Sequence, residues 1–194
     1  MIEEIKKKAI ENHVPIVRDK TIKKIIELLK VSQTKEILEI GTAVGYSGIV
    51  MLSNSLANLT TIEKNHERFI EAKNNFTNYN LLDRATLIEG DALEELERLV
   101  KDNKKFDFIF LDGPKGQYIK YYPLIKSLLN NKGILFADNI LMNGLIEDSS
   151  RVNHKNRTMV RNMKSFLNQL KEDKDFSTTF YNIDDGFAIS QFNK

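Results

Sequence analysis

The chain has 194 residues and a mass of 22.4 kDa, a length that favours one domain over two. Hydrophobic residues make up 41% and charged residues 29%, which excludes a disordered chain because this much apolar material can form a core. Cysteine is absent and only three histidines are present, so a disulfide scaffold, a thiolate zinc site and a cysteine nucleophile are excluded. Any bound metal must therefore be held mainly by oxygen.

The overall charge does not mark a nucleic-acid binder. Lysine and arginine number 29 against 27 aspartates and glutamates, a formal net charge of +2, although a local basic cluster is still compatible with RNA. The first ten residues carry charges where a signal peptide has its apolar stretch, and no apolar run approaches the roughly 18 residues of a membrane span. We therefore expect a cytoplasmic protein without a membrane partner.

The first thirty residues predict two helices. Apolar residues recur at spacings of three and four from Ile2 to Ile10, and again from Ile22 to Leu29. Pro15 lies between the two stretches and interrupts the helical pattern. We expect residues 1–30 to form a helical cap within a single domain that covers residues 1–194.

From residue 36 onward, short apolar segments alternate with helical ones. Five strands are predicted, the last of them opened by a turn at 130–133: 36–40, 59–63, 85–89, 106–112 and 133–138. The helices predicted between and after them are 47–56, 65–79, 92–101, 118–129 and 157–170. Two further strands, 178–183 and 186–190, are joined by a short turn and should pair antiparallel. This order predicts an α/β, doubly wound, mostly parallel sheet with an antiparallel hairpin at one edge.

The loop after the first strand is the first candidate site, because ligands of such sheets bind beyond the carboxyl ends of the strands. Gly41 and Gly45 would let the backbone approach a ligand before the next helix begins. The dinucleotide pattern G-x-G-x-x-G is not present, since Ala43 and Tyr46 stand where it requires glycine. The E-x-G-x-x-x-G spacing that begins at Glu39 fits S-adenosylmethionine (SAM) better than NAD.

The next two strand ends extend this candidate site. Glu63 follows the loop at the distance expected of a ribose-binding carboxylate, whose two oxygens can accept both ribose hydroxyls. Gly90-Asp91-Ala92 ends the third strand, where an adenine would lie. The alternative interpretation is a purely structural glycine turn with a solvated Glu63. Three such features in the right order favour SAM binding.

Oxygen ligands end the fourth and fifth strands, at Asp112 and at Asp138-Asn139. Two carboxylates and an amide suit Mg²⁺, which accepts few protein ligands and keeps open positions. An Asp-Asn pair can instead cap a loop. Lys115 follows Asp112, and a lysine beside a divalent cation can have its pKa lowered enough to act as a base, although it could also be an ordinary surface lysine.

Together these segments resemble the cation-dependent, SAM-dependent O-methyltransferases related to catechol and caffeoyl-CoA O-methyltransferases. The resemblance runs from about His13 to Ser190 and includes Asp112-Gly113-Pro114-Lys115-Gly116-Gln117-Tyr118. Many members have Ala-Ala or a similar pair where this chain has Gly113-Pro114, which bears on the orientation of Lys115. Within the family the pattern is most similar to bacterial tRNA 5-hydroxyuridine methyltransferases, which make 5-methoxyuridine at the wobble position.

The resemblance implies a seven-stranded Rossmann-like methyltransferase sheet and a homodimer. It implies that Mg²⁺ or another divalent cation is held by Asp112, Asp138 and Asn139, with Lys115 and Asp112 in the catalytic positions. The residues that it implies around SAM are Val17, Glu39, Gly41, Thr42, Gly45, Tyr46, Ser47, Glu63, Asp91, Ala92 and Asp112.

The acceptor is indicated by chemistry and by a basic segment. A metal-bound hydroxyl with an oxygen on the adjacent carbon can belong to a catechol or to 5-hydroxyuridine. Six basic residues and no acidic residue lie between Arg151 and Lys171, and we expect Arg151, Lys155 and Arg157 to contact tRNA phosphates. A solvated helix would look similar. A small-molecule catechol-type O-methyltransferase and a non-catalytic SAM-binding module are the alternatives.

Overall fold

The computed structural model describes residues 2–194, so Met1 of the predicted cap lies outside the described residues. Two amphipathic helices open the chain, α1 (Ile2–Glu11) and α2 (Asp19–Val31). Ile22, Ile25 and Leu29 are buried on one face of α2, as their spacing predicts. The chain divides into two compact units, one ending at Glu95 and the other spanning Leu96–Lys194. The organisation of the chain as a single domain stays a prediction.

The first unit contains the three strands that follow the cap. In chain order its elements are β1 (Glu36–Ile40), α3 (Tyr46–Ser53), β2 (Asn58–Glu63), α4 (His66–Asn78), a 3₁₀ turn (Leu82–Arg84) and β3 (Ala85–Glu89). β1 pairs parallel with β2, and β2 pairs parallel with β3. Because parallel strands end on the same side, Ile40, Ile62 and Ile88, aligned by the register, bring the loops after them to one edge.

The second unit begins within α5 (Ala92–Lys101) and contains the remaining four strands. Its elements after α5 are β4 (Phe106–Leu111), a 3₁₀ turn (Lys115–Gln117), α6 (Tyr118–Leu128), β5 (Leu129–Asp138), a 3₁₀ turn (Ser149–Arg151), α7 (Arg157–Glu172), β6 (Phe176–Tyr181) and β7 (Phe187–Phe192). β4 and β5 are parallel, whereas β7 is antiparallel to both β5 and β6. The rings of Phe136 and Phe187 stack with centroids 4.8 Å apart, so aromatic packing secures the antiparallel strand beside β5.

The predicted start of the fifth strand is wrong. The turn expected at 130–133 is part of β5, which begins at Leu129. The pairing with β4 passes from Phe106–Leu129 to Phe108–Ile134, so the intervening residues form a bulge rather than a turn between elements. Lys132, with φ of 63°, is the left-handed residue of this bulge.

The strand order is β3-β2-β1 in the first unit and β4-β5-β7-β6 in the second. The predicted α/β class, the mostly parallel sheet and the antiparallel C-terminal hairpin are therefore confirmed. Within residues 2–194, no helix has the length and apolar character needed to cross a bilayer.

Candidate active site

The loop between β1 and α3 depends on glycine. Gly41 and Gly45 have φ of 105° and 85°, values that side-chain-bearing residues rarely adopt, and Ala43 between them has φ of 47°. A Cβ at Gly45 would lie 2.9 Å from the ring of Phe76, closer than packed carbon atoms approach. No side chain caps α3, which begins at Tyr46 directly after Gly45. The first turn of α3 therefore presents backbone N–H groups, as a ligand-binding helix start does.

A buried hydrogen-bond network lies under this loop, centred on Glu39. The Glu39 side chain has no exposed surface, and its Oε1 accepts from the Ser47 hydroxyl. Its Oε2 accepts from the Thr61 hydroxyl at 2.7 Å, and the Thr42 and Thr61 hydroxyls lie 2.6 Å apart. Glu39, Thr42 and Ser47 thus hold the loop in shape, while their direct contact with SAM stays a prediction. Sequence reasoning missed Thr61, which lies inside β2 and resembles any strand threonine.

Glu63 lies at the end of β2 and reaches the same loop. Its Oε2 accepts from the Ala43 backbone N–H at 2.8 Å, and its Oε1 accepts from the Asn65 N–H at 2.8 Å. A carboxylate has about four acceptor positions, so both oxygens retain capacity for further donors such as ribose hydroxyls. The predicted place of Glu63 beside the glycine loop agrees with this geometry, and its role as a ribose ligand stays a prediction.

Asp91 lies in the short segment between β3 and α5. Its Oδ1 accepts from the Leu93 N–H at 2.9 Å, and Lys64 Nζ donates to its Oδ2 at 2.9 Å. The Lys64 hydrogen bond, assisted by the backbone, keeps the pKa of Asp91 below its usual value. Asp91 is therefore ionised and orients the first turn of α5, which begins at Ala92. Val17, the remaining predicted SAM contact of this unit, is buried.

In the second unit, Asp112 and Asp138 lie at the same end of neighbouring parallel strands. The register pairs Leu111 with Ala137, the residues just before them. Asp138 is 1% exposed, and its Oδ1 accepts from the Asn139 N–H at 2.8 Å. Its Oδ2 is buried without a hydrogen-bond partner. Burial, reinforced by the charge of Asp112, raises the pKa of Asp138 to about 7.

The loop after Asp138 is fastened to the turn before β7. The backbone N–H groups of Ile140 and Leu141 donate to the carbonyls of Gly186 and Asp185, each at 3.0 Å. The Asp185 Oδ1 accepts from the Asn143 N–H at 2.6 Å, and the charge of Asp185 also raises the pKa of Asp138. Sequence reasoning treated Asp185 as part of a hairpin turn and missed this third carboxylate. We call Asp112, Asp138, Asn139 and Asp185 the acidic end of the second unit.

Lys115 is bound to the acidic end. Its Nζ lies 2.7 Å from Asp112 Oδ1 and donates to the Tyr118 hydroxyl at 2.9 Å. Gly113-Pro114 does not prevent this geometry, because Pro114 leads into the 3₁₀ turn that begins at Lys115. The lowered pKa expected of Lys115 beside a divalent cation stays a prediction. Among the chain's own residues, burial acts to lower the pKa of Lys115, but the negative charge of Asp112 and the hydrogen bonds to Asp112 and Tyr118 outweigh burial and raise it.

The acidic end fits a divalent cation. Within residues 2–194 there is no group of three or more histidine, aspartate or glutamate side chains suited to a metal. A set of two carboxylates and an amide is still compatible with Mg²⁺, which takes few protein ligands. The buried Asp138 Oδ2 has no hydrogen-bond partner, and a carboxylate oxygen in that position is stabilised by a cation.

The predicted RNA contacts are exposed in the segment that follows the acidic end. Arg151, Lys155 and Arg157 are all on the surface. A Cβ at Gly144 would lie 2.9 Å from an Arg151 guanidinium nitrogen, so this arginine packs on the loop that follows Asp138. The opposite face of α7 is apolar, as its pattern predicts, and buries Val160, Met163, Phe166 and Leu170.

The fold and the polar strand ends are those of a Rossmann-like methyltransferase, and comparison with known proteins agrees. The chain belongs to the O-methyltransferase family, whose family model matches residues 1–192. A catechol O-methyltransferase of Niastella koreensis is 31% identical over 131 residues, which are 66% of this chain and 59% of that protein. The chain spans about half of the length of most of the curated relatives that it matches.

Solved structures show the same fold. A Staphylococcus aureus protein provisionally named a caffeoyl-CoA O-methyltransferase is 36% identical with a TM-score of 0.91, covering 99% of this chain and 92% of that one. A methyltransferase of Podospora anserina, solved with bound S-adenosylhomocysteine, is 26% identical with a TM-score of 0.81, covering 92% of this chain and 80% of that one.

Proposed function

We propose that this protein transfers a methyl group from SAM to a hydroxyl oxygen of an acceptor that carries a second oxygen on the adjacent carbon. The observation that carries the proposal is the acidic end, where the buried and unpartnered Asp138 Oδ2 lies among further carboxylates. Membership of the O-methyltransferase family supplies the reaction class. In the transfer, a bond forms from the acceptor oxygen to the methyl carbon as the S–CH₃ bond breaks, which leaves S-adenosylhomocysteine, and the hydroxyl proton passes to solvent.

The methyl donor is assigned to the first unit. The uncapped N-terminus of α3, which follows the Gly41–Gly45 loop, suits the carboxylate of SAM, and the remaining acceptor capacity of Glu63 suits its ribose. The bound S-adenosylhomocysteine of the Podospora anserina relative supports the choice of donor. The hydrogen-bond network centred on Glu39 holds the loop in one shape before SAM binds. Less conformational entropy is therefore lost on binding.

The acceptor is assigned to the second unit. Asp112, Asp138 and Asn139 would hold a divalent cation, which lowers the pKa of a bound hydroxyl and orients it. The Lys115 amine would act on the acceptor oxygen, as a hydrogen-bond donor in its ammonium form or as the base expected beside a cation. Asp112 holds that ammonium in place at 2.7 Å. A catalytically inactive SAM-binding module is disfavoured, because the whole set of acidic and basic residues is present.

We propose 5-hydroxyuridine at the tRNA wobble position as the acceptor, to give 5-methoxyuridine. Its 5-hydroxyl and O4 form the required oxygen pair. The exposed Arg151, Lys155 and Arg157 are available for phosphates, and Arg151 packs on the loop that follows Asp138. The second candidate is a small catechol, favoured by the name of the Niastella koreensis relative. A homodimer stays a prediction.

Two acceptors and one charge variant test this proposal. In the assay, tRNA bearing 5-hydroxyuridine or a catechol is incubated with the protein and SAM, in the presence of Mg²⁺ or of EDTA. We expect the triple variant Arg151→Gln, Lys155→Gln, Arg157→Gln to lose tRNA methylation selectively, with a salt slope reduced by up to about one unit per contact.

The matched control is Lys20→Gln, Lys23→Gln, Lys30→Gln, which removes the same charge from exposed positions of α2. It should leave both reactions nearly unchanged. Equal losses for tRNA and catechol in the Arg151 triple variant would contradict phosphate binding by this segment. Methylation of the catechol alone by the wild-type protein would make the second candidate the function.

A further inference from the structure

Tyr118 is a fully buried residue whose hydroxyl has three polar neighbours. It begins α6, directly after the 3₁₀ turn that contains Lys115. The hydroxyl accepts from Lys115 Nζ at 2.9 Å. Its single proton is shared between the Leu111 carbonyl oxygen at 3.0 Å and the Asp138 carbonyl oxygen at 3.2 Å. One hydroxyl group thus joins a side-chain amine to two backbone carbonyls.

The two carbonyls belong to the last residues of β4 and β5. The side chains assigned to the cation come from these strand ends or from the residues directly after them, which are Asp112 and Asn139. Lys115 itself is a long side chain with considerable rotamer freedom, and Asp112 provides its other hydrogen bond. The Tyr118 hydroxyl therefore fixes the amine relative to both strand ends at once.

The Tyr118 ring packs against α7. Its ring meets that of Phe166 edge to face, with centroids 5.4 Å apart and an interplanar angle of 81°. The same helix fixes the turn before Tyr118, because Asn162 Nδ2 donates to the Gly116 carbonyl at 2.9 Å. Neither the ring nor the turn can move without breaking contacts with α7.

We propose that Tyr118 is a positioning residue that sets the location of the Lys115 amine relative to the acidic end. This inference rests on the proposed function and adds a residue to it. Tyr118 acts through Lys115 and the strand ends. When its hydroxyl is removed, Lys115 keeps its contact with Asp112 but loses its second anchor, so the amine samples positions that do not stabilise the reacting oxygen.

A merely structural tyrosine is available on the same helix as a matched control. Tyr122 lies one turn after Tyr118, and its ring also meets Phe166 edge to face, at 5.9 Å and 80°. Its hydroxyl donates to Asp173 Oδ2 at 2.8 Å, which also accepts from Lys126. Tyr122→Phe therefore removes a tyrosine hydroxyl from the same packing environment without touching Lys115.

The first experiment compares the steady-state kinetics of Tyr118→Phe and Tyr122→Phe. We expect Tyr118→Phe to lower kcat by about tenfold or more while KM for SAM changes less than about twofold, because the substitution leaves the donor site intact. Tyr122→Phe should keep the wild-type kcat. Equal kcat values for the two variants, or a loss confined to KM for SAM, would overturn the proposal.

The second experiment does not depend on catalysis. The rate of acetylation of Lys115 by a small amine-reactive reagent is measured by peptide mass spectrometry in the metal-free protein. We expect Lys115 to react several-fold faster in Tyr118→Phe than in wild type or Tyr122→Phe, since it has lost an anchor. Unchanged labelling of Lys115 in Tyr118→Phe would overturn the proposal even if activity falls.

The two experiments separate this inference from the proposed function. A wild-type protein that methylates neither acceptor would refute the function, and labelling would still decide the role of Tyr118. Should Tyr118→Phe not fold, Phe166→Leu keeps the hydroxyl but removes the edge-to-face support. It should accelerate Lys115 labelling by a smaller factor, and the absence of any acceleration would count against the proposal.

Discussion

The two units each bury a carboxylate at a strand end, and the two carboxylates are treated in opposite ways. Glu39 has both oxygens bonded to neutral hydroxyls, those of Ser47 and Thr61. Asp138 has one oxygen bonded to the next backbone N–H and the other buried without a partner, near the negative charges of Asp112 and Asp185. The first carboxylate is satisfied by the fold, and the second is not.

The difference distinguishes a carboxylate that stabilises the fold from one that is suited to bind a ligand. A buried carboxylate with complete hydrogen bonding stabilises one backbone shape, here that of the Gly41–Gly45 loop. A buried carboxylate with an unpartnered oxygen and like-charged neighbours lowers the stability of the fold, and such strain is retained where a ligand compensates for it. The contrast predicts that changes at the Glu39 network act mainly on folding and changes at the acidic end act mainly on reaction.

The largest effect should follow from removing the unsatisfied carboxylate. We expect Asp138→Ala to lower methyl transfer by about 100-fold or more, because the cation loses a ligand, while SAM binding by the first unit is largely retained. Turnover with each acceptor and calorimetric titration with SAM check the two parts. In wild type, chelation should have the same effect and Mg²⁺ should reverse it; full activity after exhaustive chelation would end the cation assignment.

The next effect concerns the satisfied carboxylate. We expect Thr61→Val to lower the free energy of unfolding by about 2 kcal/mol, because a buried oxygen of Glu39 loses its donor. Urea denaturation measures the loss. Thr60→Val on the other face of β2 is the control and should cost much less, since Thr60 is only partly buried. Equal losses in the two variants would show that Glu39 does not depend on Thr61.

A third prediction uses the pH dependence of stability in the metal-free protein. The pKa of Asp138 is raised to about 7 in the folded chain by burial and by Asp112, whereas the unfolded chain titrates near 4. Between these values the folded chain holds a proton that the unfolded chain has lost, so Asp138 makes wild type less stable as pH rises through this window. Asp138→Asn removes this penalty. Its stability relative to wild type should rise steadily between pH 4 and pH 8, measured by urea denaturation in EDTA; a difference that is constant with pH would contradict it.

The smallest effect is expected at Glu63, whose oxygens already accept from backbone N–H groups. We expect Glu63→Ala to weaken SAM binding by about 1 kcal/mol, roughly fivefold, through loss of charge-assisted hydrogen bonds. Calorimetry measures the affinity, and circular dichroism shows whether the fold is intact. An unchanged affinity in a folded variant would remove Glu63 from the donor site.

Much of the fold follows from local pattern. The strand ends at Ile40, Glu63 and Asp138 could be predicted because apolar runs stop there at glycine or at polar residues. The bulge at the start of β5 could not, since Asn130 to Gly133 have the composition of a turn whether the chain reverses or bulges. Pairing with β4 decides between the two, and local composition carries no information about that pairing.

The position of the candidate site could be predicted from the sequence, but the hydrogen-bond partners of its residues could not. Sequence reasoning placed Asp112, Lys115 and Asp138 at neighbouring strand ends, and the structure brings them together. The hydrogen bonds of the Tyr118 hydroxyl and the contribution of Asp185 were not predictable, because both depend on contacts between residues far apart in the chain. The direction in which the pKa of Lys115 shifts also depends on its ion pair with Asp112. The spacing of the two residues in the sequence does not define that ion pair.

The link between Asn143 and Asp185 has a consequence for synthesis. The two residues are 42 positions apart, and the carbonyls of Asp185 and Gly186 also fasten the loop that begins after Asp138. At typical translation speeds roughly 2–8 s pass between the synthesis of these two segments. A nascent chain that has completed β5 therefore carries Asp138 without the residues that later enclose it. The acidic end is assembled only when the final hairpin has left the ribosome.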